Sequence, residues 1–446
     1  MRGPERPGVT PRASPVNNNE LESRPVMTTS PHTKRSHVPA WVSGPVTVLN
    51  TVGAGLVALG APIGRLSETQ LLRAAQRKTG LVDFGDDGFR LPLRTLLQAS
   101  SAKGRFNFIG RLMSELRISR ALVNRLLINN ELKRHPEILD VPIRRPIFIA
   151  SLPRTGTTFL HKLLAQDPHA RALLAWEALL PARWPADIDK DPDPRIARIR
   201  RLARLIRLLA PRLRALHDFD PEGPEECVML LQNTFVLPLL GRPAYLAWYL
   251  DQPAAVIHAA YREYRQQLQL LQWQRPYDGH WLLKSPLHLY ALDALLKVFP
   301  DSAVVLIHRD PGQVIASTCS LLGFLNDLTA GDPEHRDAQP RRVVTWVAEG
   351  LRRAEAAREH AGPGRIYDIR YNELVADPLA EIRRLYAHFG YDYTSAFDAR
   401  ATAWLAHHPQ HKYGKHSYTG TQFGLDRRAI DADFSWYRER YRISPE

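Results

Sequence analysis

Pro146-Ile-Phe-Ile-Ala-Ser-Leu-Pro-Arg-Thr-Gly-Thr-Thr158 is the stretch on which the fold turns. Its first five residues form a short apolar run, which reads as a strand buried on both faces. A helix is expected directly afterwards, over 157–166. The turn between them, loosened by Gly156, aims free backbone N–H groups and the positive end of a helix dipole at one point. Such a junction is an anion site. Thr155, Thr157 and Thr158 add hydroxyl donors, and Arg154 adds a forked cation suited to phosphate oxygens.

The loop has the shape of the nucleotide triphosphatase loop G-x-x-x-x-G-K-[ST], with Ser151 in place of its first Gly and Thr157 in place of its Lys. Without the triphosphate-binding lysine, it suits a shorter phosphate chain. A bland connection between strand and helix is the competing explanation for the same Thr and Gly residues.

Working outward, further strands are expected at 280–284, 303–308 and 364–369, separated by helices at 287–298, 311–322, 343–360 and 378–389. Strands alternating with helices indicate an α/β fold of P-loop nucleotide-binding type, a parallel sheet flanked by helices. Residues 141–446 make up this α/β domain, with a helical insert at about 186–278. Residues 1–38, rich in Pro, Ser, Thr, Asn and Arg, read as a disordered leader. Between them, 39–140 is a helical N-terminal region. There Ser67 and Gln70 suggest a capping box, Gly80 a helix stop, and further helices cover 92–100 and 107–135.

Two segments bear on membranes. Residues 42–63 carry no charge, but Gly44, Pro45, Gly53, Gly55, Gly60 and Pro62 thin their hydrophobicity. A soluble helix packing on the catalytic core is expected, with membrane association as the competing possibility. From Pro194 to Leu216 runs a helix with eight arginines and no acid, suited to an anionic surface or simply to solvent.

With 446 residues, 44% hydrophobic and 24% charged, the chain can build a large core without a disulfide or metal staple. Cys227 and Cys319 form no pair motif and no metal-ligand spacing, which points to a reducing, cytoplasmic setting and no metal. A formal charge of +14 implies anionic partners. Nucleic acid is not expected among them, because no zinc-finger, basic-zipper or RNA-binding signature is present.

A second anion anchor is legible in Val304-Val-Leu-Ile-His-Arg309, followed by a helix from near Pro311 that places Ser317 about two turns in. Arg309 and Ser317 can converge on one phosphate. Gly279-His-Trp-Leu-Leu-Lys284 reads as a strand ending in a cation, with His288 a second candidate for the same cleft.

These motifs resemble sulfotransferases that use 3′-phosphoadenosine 5′-phosphosulfate (PAPS). Pro153-Arg-Thr-Gly-Thr-Thr158 is similar to their 5′-phosphosulfate loop, in the branch with Arg where the cytosolic enzymes have Lys. That branch includes tyrosylprotein sulfotransferases and many bacterial enzymes. The resemblance covers roughly 145–420. It implies that Arg309 and Ser317 hold the 3′-phosphate and that Lys284 contacts the oxygen bridging phosphate and sulfuryl group. It implies Glu177 as the base that deprotonates the acceptor, at the place where the tyrosylprotein-type branch carries its glutamate. The cytosolic branch uses a histidine two residues after its lysine, a position held here by Pro286. Tyr371 is expected beside adenine, and Lys415, in Lys412-Tyr-Gly-Lys415, in a loop closing over the 3′-phosphate.

The acceptor would be a hydroxyl or amine on a small molecule, glycan or lipid. Trp176, Trp184, Tyr245, Trp248 and Tyr249 suit either an apolar or sugar-binding cleft or an ordinary core. His217, just before the acidic turn from Asp218 to Cys227, and Glu226 within it are alternatives for the base or for substrate contacts. Two other functions compete: a kinase-like phosphotransferase, which would need Mg²⁺ ligands, and a non-catalytic protein that sits on anionic membranes.

Overall fold

In the computed structural model the residues described are 40–60, 64, 66–101, 106–209, 219–237, 243–329, 333–408 and 423–446. Five strands among them form one sheet, all parallel: β1 Ile147–Ile149, β2 Ala170–Ala172, β3 His280–Lys284, β4 Ala303–His308 and β5 Ile366–Arg370. Their order is β2-β3-β1-β4-β5. The chain leaves central β1 toward one edge, returns through β3, then crosses to β4 on the other side. That reversal beside β1 opens a crevice at the carboxyl ends of the strands, where open α/β sheets bind ligands.

Successive side chains of a strand point to opposite faces, and both faces here are covered. Phe148, Leu283, Val304 and Leu306 belong to one core, with residues from helices Ala254–Gln274, Pro311–Thr329 and Pro333–Arg358. Ile147, Ile149, Leu282, Val305 and Ile307 belong to a second, with Leu160, Leu163 and Leu164 of helix Thr157–Leu164 and Leu385 of helix Pro378–Phe389. This double burial explains why these strands read as continuous apolar runs.

β2 was not legible in the sequence. Its three residues Ala-Arg-Ala carry no pattern, and their extended form comes from pairing with His280, Trp281 and Leu282. Helix Pro333–Arg358 begins well before the expected residue 343 and accommodates Pro340, which suggests a break when read locally.

In the N-terminal region, helices Glu68–Thr79, Arg90–Ser101 and Phe108–Arg134 share a core that includes Leu71, Leu93 and Leu126. Gly80 ends the first of them in the left-handed region, at φ 73°. Ser67 stands at its N-cap, but its side chain makes no capping bond, so the expected capping box does not form. Helix Ala40–Ala58 lies against Phe108–Arg134. The Asn50 side chain accepts from the Ile109 amide at 3.0 Å, and a Cβ on Gly53 would overlap the Phe108 ring. Among the described residues no helix is long and apolar enough to cross a membrane.

Candidate active site

The carboxyl edge of the sheet brings three cations together because three neighbouring strands end there. β1 runs into the loop 150–156. On one side its Ile149 is in register with Lys284, the last residue of β3; on the other it is in register with Val305 of β4, which runs on to Arg309.

The loop is held open by its own backbone. Arg154 and Gly156 both have positive φ, 68° and 89°, which turns consecutive peptide units the same way before helix Thr157–Leu164 starts. A run of amides of this kind at a helix start forms an anion cradle. The Thr155 hydroxyl is not available to a ligand, since it donates to Leu152 O at 2.8 Å and braces the turn. Buried Ser151 accepts from the Ile307 amide at 2.6 Å and ties the loop to β4. Thr157 is buried, whereas Arg154 and Thr158 are exposed.

The two junctions meet. Arg154 Nε donates to Ser317 Oγ at 3.0 Å, and Arg309 Nη1 donates to the Arg154 carbonyl at 3.0 Å. Tyr371 lies at this contact: its ring centre is 4.0 Å from the Arg309 guanidinium carbon, and its edge would stand 3.2 Å from a Cβ on Gly156. The outer side of Arg309 carries a carboxylate. Glu446 accepts from Nη2 at 2.7 Å and from Nε at 3.1 Å. The Arg309 guanidinium therefore meets this carboxylate through both Nε and Nη2. Next to it, Asp310 is fully buried and takes hydrogen bonds from Arg427 and Arg438. These bonds hold helices Arg427–Asp433 and Ser435–Tyr441 against the end of β4.

Lys284 is buried and shared. Its Nζ lies 2.5 Å from Glu226 Oε1 and 3.4 Å from Thr158 Oγ1, linking the cradle to the 219–227 turn.

Glu177 is sealed within the fold. It is 1% exposed, with Oε1 3.1 Å from Arg171 and 3.6 Å from Arg275, while Oε2 accepts from the Leu174 amide. Arg171 is itself fixed by Leu271 O, Arg275 O and the face of Trp281. Burial pushes the Arg171 guanidinium below its ordinary value.

His288 does not face the cleft. It is fully buried, its Nδ1 lies 2.8 Å from Tyr261 Oη, and its ring packs edge-on to Phe148. Burial lowers its pKa to about 3. Trp176, Tyr245 and Tyr249 are core residues, and Trp248 stacks on Tyr245, so these aromatics supply packing. Both cysteines are free and buried, with thiols pushed up to about 12. Lys415 and His217 lie outside the described residues. No cluster of His, Cys, Asp and Glu suited to a metal ion occurs among the described residues.

The model of a family described as "Sulfotransferase family" matches residues 146–395, more than half of the chain. Over 320 residues the sequence is 27% identical to the omega-hydroxy-beta-dihydromenaquinone-9 sulfotransferase Stf3 of Mycobacterium bovis and of Mycobacterium tuberculosis, covering 68% of this chain and 76% of each relative. Among solved structures, sulfotransferase STF9 from Mycobacterium avium is similar with a TM-score of 0.75 at 29% identity, covering 86% of this chain and 98% of that one. Sulfotransferase STF1 from Mycobacterium tuberculosis gives 0.68 at 30% identity, covering 83% and 98%.

Proposed function

The chain belongs to the sulfotransferase family, and from that premise we propose that it transfers a sulfuryl group from PAPS to an acceptor hydroxyl or amine. The observation that carries this is the meeting of the two junctions, Arg309 on the carbonyl of Arg154 and Arg154 on Ser317, each at 3.0 Å. One bisphosphate moiety would span them. The amides of 154–158 and the Arg154 side chain receive the 5′-phosphosulfate, and Arg309 with Ser317 receives the 3′-phosphate. Tyr371 supports Arg309 from behind and closes the cradle at Gly156.

Lys284 offsets charge on the leaving phosphate, a cation fixed in place before the reaction begins. Glu177 has both oxygens engaged, so in this scheme it holds the 173–176 segment and does not touch the acceptor. No step needs a metal ion, and the surplus of positive charge draws in the polyanionic donor.

The acceptor is best sought among lipid-like alcohols. Val48, Leu49, Val52 and Leu56 of helix Ala40–Ala58, with Leu59 beyond its end, are exposed. Such a stripe suits an amphiphile or peripheral contact with a membrane, and the curated relatives act on a hydroxylated menaquinone.

Thermal stabilisation by adenosine 3′,5′-bisphosphate against ATP tests the donor site, followed by transfer of labelled sulfate from PAPS to lipid and metabolite extracts. Stabilisation by the bisphosphate with label in a lipid fraction is the expected result. Stabilisation by ATP–Mg²⁺ alone would overturn the donor assignment in favour of a phosphotransferase.

A further inference from the structure

We propose that Glu226 is the general base that takes the acceptor's proton; this rests on the PAPS reading above, with Lys284 beside the leaving phosphate. Two carboxylates near this edge of the sheet are in opposite states. Glu177 is sealed, 1% exposed, with Oε1 on Arg171 and Oε2 on the Leu174 amide. Glu226 has a side chain 24% exposed, gives only Oε1 to Lys284, and its Oε2 has no hydrogen-bond partner among the described residues.

The backbone keeps Glu226 at this spot. The Cys227 amide donates to the Lys284 carbonyl at 2.9 Å, so the residue after the glutamate is clamped to the end of β3. The turn that leads into it is laid against the Glu177 segment: Glu225 N to Leu173 O at 2.8 Å, Ala175 N to Gly223 O at 3.0 Å and Trp176 N to Pro221 O at 3.1 Å. Glu177 therefore acts as a positioning residue, holding the strip on which the Glu226 turn is built.

A lysine ammonium has three donors. One meets Glu226 Oε1 and one Thr158 Oγ1, leaving a third for the bridging oxygen. The acceptor oxygen attacks sulfur as the bond from sulfur to the bridging oxygen breaks. The electron pair departs with the phosphate, beside Lys284. The acceptor proton passes to Glu226 Oε2 and from there to solvent, to which the side chain is open.

The test compares wild type with Glu226→Gln and Glu226→Asp. Three readouts are used: thermal stabilisation by adenosine 3′,5′-bisphosphate, transfer of labelled sulfate from PAPS to farnesol in micelles, and acceptor-free hydrolysis of PAPS. Glu226→Gln should keep the stabilisation within about threefold and lose 10²–10⁴-fold in kcat for whichever turnover wild type shows, the usual range for a general base. Its acid-side pH limb should vanish, while Glu226→Asp, which keeps a carboxylate, retains the limb and part of the rate. A loss under tenfold, or an acid limb unchanged in Glu226→Gln, would overturn the proposal and leave the donor site standing. If wild type shows neither stabilisation by the bisphosphate nor any turnover, the proposal falls together with the PAPS reading.

Discussion

The carboxylate of Glu446 and the guanidinium of Arg309 face each other across 137 positions of sequence, with Nη2 2.7 Å from Oε2 and Nε 3.1 Å from both carboxylate oxygens. The pair is only partly shielded, 22% and 23% exposed, so it adds at most about 1 kcal/mol. A 3′-phosphate on Arg309 would have to displace this carboxylate. Glu446→Gln should therefore bind adenosine 3′,5′-bisphosphate up to about fivefold more tightly in low salt, by calorimetric titration. Arg309→Ala should lose most of the binding. Equal affinity in wild type and Glu446→Gln would mean that the nucleotide does not meet the outer side of Arg309.

Gly156 has a φ of 89°, and a Cβ there would lie 3.2 Å from the Tyr371 ring. Gly156→Ala is expected to cost about 1–2 kcal/mol through its left-handed backbone and to push Tyr371 away from Arg309. Bisphosphate binding should fall at least tenfold. Pairing it with Tyr371→Leu, which removes the ring from the contact, should recover part of the loss if crowding is the cause. No recovery would place the damage in the backbone turn itself.

Three buried histidines predict a pH effect on stability. Burial is the largest cause of depression at each: His161 and His288 are lowered to about 3, His280 to about 4, and the ammonium of Lys284 depresses His161 further. Between these values and the ordinary 6.5 the unfolded chain binds protons that the folded one refuses. Stability therefore rises with pH through this window and is lost as pH falls below about 6.5, at about 1.4 kcal/mol per pH unit for each ring. The urea midpoint should drop steeply between pH 6.5 and 5, above the range where most carboxylates titrate. A flat midpoint there would contradict the buried, neutral state of these rings.

Removing Glu177 leaves the guanidinium of Arg171, 2% exposed, without its carboxylate. Breaking one side of such a buried pair costs about 3–5 kcal/mol. Glu177→Ala should show this as a lowered urea midpoint. Glu226→Gln keeps an amide oxygen facing Lys284, whose side chain is 3% exposed, so that ammonium loses its counter-charge but not its acceptor and the urea midpoint should fall less than in Glu177→Ala. An unchanged midpoint in Glu177→Ala would contradict the buried pair with Arg171.

What the sequence by itself determined is local. The apolar runs ending at Ile149, Lys284 and His308 are strands because each is buried on both faces, and that pressure leaves its mark residue by residue. The positive-φ turn at Gly156 and the spacing from Arg309 to Ser317 are equally short-range, so both strand-to-helix junctions could be read directly. Tertiary structure decided the rest. β2 exists only through its pairing with β3. The partner of Lys284 lies 58 residues away, in a turn whose place depends on bonds to 173–176. Glu177 and Glu226 carry the same carboxylate and differ only in surroundings, one enclosed by arginines and one open beside a lysine, and no local pattern encodes surroundings that distant segments create on folding.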